Sequence, residues 1–173
     1  MPYFSRAKHL AKEPILVYGH LPLWRCWDGG GTPSCVWIQP LPPNNMGGLN
    51  IIGSRTALNA GLEGFILGDV LGFQQQYGLM PRALGTKAGW GKGPKAGFQY
   101  LDTGDPSMLD EGKTIKAEMT AARLINLLLA TTFQPGPIPW AARREAGHSV
   151  FQRGGRGDRL AFVQIDPDEN DML

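Results

Sequence analysis

This sequence has little of what catalysis usually leaves on a chain. Its three histidines, His9, His20 and His148, are far apart, and it has only two cysteines. It lacks HExxH, GxSxG and any paired-carboxylate motif, which excludes the readily recognised metalloprotease and hydrolase designs. The Gly/Lys stretch 85–97 comes nearest to a phosphate loop and fails it. Gly91-Lys92 is followed by Gly93 where Ser or Thr is required, and Thr86 stands where the upstream glycine belongs. A structural zinc site would need four ligands. Cys26, Cys35 and His20 supply three, at spacings unlike a zinc knuckle. The acidic end, from Asp166 to Asp171, lacks the central glycine of a calcium loop. No cofactor and no metal are therefore expected.

Charge of one sign is missing too. Seventeen Lys and Arg against fifteen Asp and Glu leave a net +2, without the strong basic excess of a nucleic-acid-coating protein, so no nucleic-acid partner is expected. No apolar stretch follows the first basic residues, so no secretory signal is expected. Phe4–Lys12 is basic and free of acids, a faint echo of a mitochondrial presequence that reads better as a solvated basic arm. The most apolar run, 124–130, is interrupted by Asn126 and is far too short to cross a bilayer by itself.

What the chain does have is backbone punctuation. Gly and Pro make up about 22% of it, against roughly 12% in average usage. Five Trp, seven Phe and four Tyr accompany them, which argues against low-hydrophobicity disorder. The expectation is an ordered chain with few long regular elements, a modest core, and a dependence on neighbours.

The most distinctive stretch runs from Ser54 to Gly78. Ala60, Gly64, Gly68 and Gly72 recur every four residues, which stacks them on one helix face. Leu58, Leu62, Ile66, Val70 and Phe73 flank that face. Glycines inside a helix cost about 0.8–1 kcal/mol each, and a second backbone packed into the groove would offset the cost, as in small-xxx-small contacts. Ala60, Gly64, Gly68 and Gly72 are therefore the candidate partner-helix packing residues. At about 30 Å the helix is long enough to cross a membrane, but Arg55, Glu63 and Asp69 disfavour a lipid-exposed span.

Elsewhere, Cys26 and Cys35 flank a turn forced by Gly29-Gly30-Gly31 and Thr32-Pro33, where free thiols, a disulfide or metal ligation are the alternatives. Ile15–Tyr18 and Cys35–Ile38 read as short extended runs, and Gln39–Asn45 as polyproline II. Arg82, Lys87, Lys92 and Lys95, spaced by glycines around Trp90, are candidate contacts to an anionic partner or lipid head groups. Ser107 with Asp110 suggests a capping box opening a second helix, which Gln134-Pro135-Gly136-Pro137 ends. Residues 149–153 and 159–165, around Gly154–Asp158, read as a hairpin, with Arg156-Gly157-Asp158 at its tip as ordinary turn chemistry. The fold class expected is mostly α with high irregular content: two main helices, about 54–77 and 107–133, an extended N-terminal arm and a C-terminal β-hairpin. The corresponding divisions are a Pro/Trp-rich arm (1–53), a two-helix core with the basic loop (54–148), and the hairpin with its acidic tail (149–173).

The glycine-faced helix, preceded by Arg55, resembles over about twenty residues the glycine-zipper segments of the Tim17/Tim22/Tim23 class of mitochondrial membrane proteins. That class has several such helices and this chain has one, so no functional residue is carried over. The functional expectation is a non-catalytic structural or accessory subunit of a large, membrane-associated assembly, with a mitochondrial respiratory-chain complex at the inner membrane as its specific version. Its partners would be other protein subunits and anionic lipid. A viral capsid, neck or tail protein is the alternative. A small enzyme with a site near Cys26, built with His20 and Asp28, is the second.

Overall fold

The protein is seen here in a computed structural model describing residues 4–42, 47–57, 60–81, 97–110, 119–136, 145, 148–154 and 161–167. Its centre is a six-stranded sheet in the order β5-β4-β1-β2-β3-β6, formed by β1 (Leu23–Asp28), β2 (Ser34–Leu41), β3 (Gly48–Thr56), β4 (Tyr100–Gly104), β5 (Phe133–Pro135) and β6 (Val163–Ile165). β2 is antiparallel to both its neighbours, and every other neighbouring pair is parallel. Five strands therefore run one way and β2 alone runs back. The sheet draws strands from the arm, the middle and the C-terminal stretch alike.

This overturns the mostly α expectation. The supposed arm holds β1, β2 and most of β3. The supposed first helix loses Ser54–Thr56 to β3 and begins only at Leu62. The supposed second helix is a 3-10 turn at Pro106–Leu109 and, separately, an α-helix at Ala121–Leu129. The turn is capped by Asp105, whose carboxylate accepts from the Ser107 N–H, so Ser107 does not open a capping box. The C-terminal hairpin is replaced as well. Residues 148–152 are helical, and β6 pairs in parallel with β3. An antiparallel bridge from Gly154 to Ala161 is what the hairpin reading retains.

Each sheet face is covered differently, and strand alternation decides which residues go where. Leu23, Arg25 and Trp27 of β1 share one face with Cys35 and Trp37 of β2, Tyr100 and Asp102 of β4, and Phe133 of β5. Onto this face pack the helices that link β3 to β4 and β4 to β5. The first is a continuous helical run in which α2 (Leu62–Phe65) and α3 (Leu71–Gln76) flank a π-helical segment, Ile66–Val70. It sends Phe65, Ile66, Val70 and Phe73 into the core. The second, α4 (Ala121–Leu129), contributes Ala121, Ala122 and Ile125. Thr120 caps its start, accepting from the Arg123 N–H at 3.1 Å. Its end turns at Ala130, left-handed at φ 49°, and the Asn126 side chain accepts from the Phe133 N–H at the head of β5.

The opposite face is covered at one end only. Val36, Ile38, Leu49, Ile51, Val163 and Ile165 pack with Leu10 beside α1 (Arg6–His9) and with Val150 and Phe151 of the helical segment 148–152. His9 is buried between them, its Nε2 donating to the Phe151 carbonyl at 3.1 Å. Over β1 and β4 the same face leaves Trp24 and Leu101 exposed.

Candidate functional site

In an open sheet of this kind the chemistry sits outside the carboxyl ends of the parallel strands, where the strand order reverses. That place is β1. The chain winds outward from β1 through β2 to β3, then crosses back and continues from β1's other side with β4 and β5. The carboxyl ends of β1 and β4 therefore form the switch point.

Two aspartates stand there. Asp28 is the last residue of β1, and Asp105 follows the last residue of β4. The register pairs Trp27 with Gly104 one step earlier, so their Cα atoms are about one strand spacing, ~5 Å, apart. Asp28 follows Trp27 of the helix-covered face, so alternation turns it toward the other side, whereas Asp105 lies beyond β4 as the cap of the 3-10 turn. Asp28 is exposed, and its Oδ1 accepts from the Gly30 N–H at 3.0 Å. Asp105 is half-buried, with Oδ1 accepting from the Ser107 N–H at 2.8 Å. Each carboxylate is thus oriented by a short turn of its own strand's exit.

The rim around them is glycine for steric reasons. A Cβ on Gly104 would lie 2.4 Å from the Trp27 carbonyl oxygen, and one on Gly136 would lie 3.1 Å from the Gly104 carbonyl oxygen. A Cβ on Gly29 would meet Met108 at 2.8 Å and Ala121 at 3.3 Å. The exits of β1, β4 and β5 are consequently drawn together, with Gly136 N–H donating to Gly104 O at 2.8 Å.

Earlier on β4, on the helix-covered face, lies a third aspartate, which plays a different part. Asp102 is fully buried. Arg25, its register partner on β1, donates to it twice: Nε to Oδ1 and NH2 to Oδ2, both at 2.7 Å. Trp27 Nε1 donates to Oδ1 and Thr131 Oγ1 to Oδ2, again at 2.7 Å. The Arg25 guanidinium also lies over the Tyr100 ring, 4.1 Å from its centroid. With four donors on its two oxygens, Asp102 has no room for a ligand.

The residues singled out from sequence fall elsewhere. Gly64, Gly68 and Gly72 lie along the helical run, which begins at Leu62 and leaves Ala60 outside it; the three glycines are exposed, and a Cβ on Gly68 or Gly72 would meet nothing within 4 Å. Arg82, Lys87, Lys92 and Lys95 lie outside the described residues, as do Trp90 and the Arg156-Gly157-Asp158 tripeptide. Cys26 and Cys35 are both free thiols. The register pairs Cys26 with Val36 and Trp27 with Cys35, so the two cysteines point to opposite faces of the sheet. Burial, helped by the Asp102 charge, pushes the Cys26 thiol up to about 11, and burial raises Cys35 well above its usual value. A nucleophilic thiol needs the opposite shift. His20 precedes β1 and Asp28 ends it. Five strand steps alone span roughly 16 Å, so the grouping of His20, Cys26 and Asp28 is not brought together.

Among the described residues no three His, Cys, Asp or Glu side chains gather into a metal cage, and no helix is long and apolar enough to cross a membrane. No family model matches this sequence, and neither a curated protein nor a solved structure matches it. The arrangement at the rim must be read from its own chemistry. Two aspartates stand at neighbouring strand exits, and the ion to weigh against them is of the magnesium type. Such an ion takes one or two carboxylates and completes its shell with water and substrate phosphate oxygens. Sequence reasoning placed Asp28 only in a thiol site and passed over Asp105. The Asp-Gly-Gly and Gly-Asp-Pro exits were visible, but their adjacency was not, because it depends on a strand pairing across more than seventy residues.

Proposed function

We propose that the chain carries a divalent-cation-dependent phosphoryl-transfer site at the carboxyl ends of β1 and β4, with Asp28 and Asp105 as the cation's protein ligands and a phosphate ester as the substrate class. The observation that carries this reading is the placement of Asp28 and Asp105 at neighbouring strand exits at the sheet's switch point. There the cation would polarise a phosphoryl oxygen and lower the pKa of bound water, making the nucleophile at neutral pH. This departs from the non-catalytic expectation formed from the sequence, which had no pair of acids to work with.

The test is a Mn2+ titration of the full chain, followed by hydrolysis of bis(para-nitrophenyl) phosphate with Mn2+ or Mg2+. Asp28→Asn and Asp105→Asn are the informative variants, because Asn still accepts the Gly30 or Ser107 N–H while losing the charge. Each should weaken Mn2+ binding by about tenfold or more with the fold intact, and the double variant should abolish it. A wild-type chain that takes up neither cation would refute the reading.

A second reading, a non-catalytic subunit of a large assembly, keeps one supporting observation. Gly64, Gly68 and Gly72 form an open face on the helical run, with Leu67 exposed beside it, so a neighbouring helix would find that face free. Gly68→Leu should release the subunit from its particle during native-mass measurement. An unchanged particle would count against it.

A further inference from the structure

We infer that residues 4–18 are an exchangeable strap, and that the surface beneath them is a docking site for an extended segment, which the same residues of a second copy of this chain can fill. The inference is independent of the proposed cation site at the exits of β1 and β4.

The strap crosses the outer edge of the sheet from one face to the other. β6 is the last strand in the sheet's order, and its outer side is taken by this segment. Leu10 bridges Ile165 in parallel, and the Ala11 N–H donates to the Ile165 carbonyl at 2.9 Å. Before that edge, Phe4 and Leu10 pack on the cluster that holds Val163 and Ile165. Beyond it, Ile15 and Val17 pack on the helix-covered core, while Leu16 between them is 69% exposed. The alternation is that of a strand, yet residues 10–18 belong to no helix or strand. Beyond the edge the segment is held by its main chain. The Ile15 N–H donates to Asp166 Oδ2 at 2.6 Å. The Gln39 side chain clamps Tyr18, Oε1 accepting from its N–H at 2.8 Å and Nε2 donating to its carbonyl at 2.9 Å. Gln39 and Asp166 are themselves buried, so the sheet presents fixed partners for the backbone of an extended chain. The apolar seats of Ile15 and Val17 then select its side chains, which is how strand-addition sites divide affinity from specificity. Of residues 4–18 only His9 is fully buried, and a segment with so few buried side chains opens far more readily than the sheet does. It joins β1 through a turn at Gly19-His20, closed by the Leu21 N–H donating to the Tyr18 carbonyl at 3.1 Å, where a Cβ on Gly19 would meet nothing within 4 Å. Exchange of a terminal element about such a joint is a low-cost route to a dimer. A second copy is the occupant this surface is shaped for, because its own residues 4–18 repeat every contact just named.

The experiment mixes two full-length variants. Ile15→Ser with Val17→Ser spoils the strap and leaves the surface, whereas Gln39→Leu spoils the surface and leaves the strap. Circular dichroism and a urea midpoint establish that each is folded. A strap closed about nine-tenths of the time at an effective concentration of about 1 mM corresponds to a dissociation constant in trans of about 0.1 mM or tighter. Each variant alone should therefore sediment as a monomer, and an equimolar mixture at about 0.5 mM of each should form a heterodimer as its main species. A mixture of folded variants no heavier than its components overturns the inference. A second measurement uses a fluorescein-labelled peptide of residues 4–18. It should bind the strap-defective variant, and a peptide carrying the same two serines should bind at least about tenfold more weakly, having lost two buried aliphatic side chains. Equal binding of the two peptides, or binding of neither, would overturn the inference as well. Should the double-serine chain fail to fold, Ile15→Ala takes its place in both measurements. Uptake of a cation, or its absence, bears only on the proposed site and leaves this result untouched.

Discussion

Two sets of glycines in this protein behave in opposite ways. Gly64, Gly68 and Gly72 recur with perfect helical regularity, yet they face outward, and at Gly68 and Gly72 an added methyl would find open space. Gly29, Gly104 and Gly136 follow no period, yet each is pressed against a neighbouring strand or the Met108 side chain. The periodic set looks like a packing motif, yet among the described residues nothing packs onto Gly68 or Gly72. The aperiodic set holds the exits of three strands together. Regular spacing places residues on a common face, but only the fold determines whether something lies against it.

The contrast can be tested by adding the missing methyl in each place. The largest effect is expected from Gly104→Ala, where the Cβ would meet a backbone oxygen that side-chain rotation cannot move away. Overpacking of this kind typically costs ~1–3 kcal/mol, and the upper end is expected here by urea unfolding. Next is a pH effect confined to the packed region, which holds the raised thiols of Cys26 and Cys35 and the raised phenol of Tyr100, all shifted chiefly by burial. The unfolded chain gives up the Cys26 proton near its ordinary 9.0, and the folded chain only at about 11. Stability should therefore be full below pH 9 and fall as pH rises from 9 to 11, and Cys26→Ser should flatten part of that loss in denaturant titrations. Gly29→Ala should cost about 1 kcal/mol, less than Gly104→Ala, because the flexible end of Met108 can give way. Gly68→Ala should do the reverse and stabilise the isolated chain by somewhat under ~1 kcal/mol, since Ala is the better helix former and nothing obstructs it. If Gly68→Ala destabilised the isolated chain, or Gly104→Ala were silent, the division between the two sets would not hold.

Parts of this architecture could be read from the residues alone. The extended run at Cys35–Ile38 is β2's middle, and a helix does fill much of 54–77; the second helix, however, stops at Leu129, and Pro135 ends β5 instead. What hid the sheet was the polar content of its inward positions. Arg25 breaks β1's apolar alternation because its partner, Asp102, lies on a distant strand. Asn50 and Ser54 are buried in β3, and the register slips at Trp37/Ile38, so β3 shows no clean period of two. Pro40 belongs to a stretch that reads as polyproline II, yet it lies within β2. It is tolerated because β1 begins at Leu23, leaving no recorded β1 partner across from Pro40. The rim was the least legible part, for its two aspartates become neighbours only once β4 has been laid beside β1.

The order of strands also has a consequence in time. β1 pairs with β2 and β2 with β3, so this meander is complete once the chain has reached Thr56. β4 joins across more than seventy residues and β6 across more than a hundred. Closing such long loops is what slows the folding of sheet proteins. The meander is the natural nucleus. Until β4 docks on β1, that nucleus presents Arg25 without its counter-ion and β1 with one unpaired edge, the state in which a sheet is most prone to recruit another chain. The late arrival of Asp102 would end that exposure.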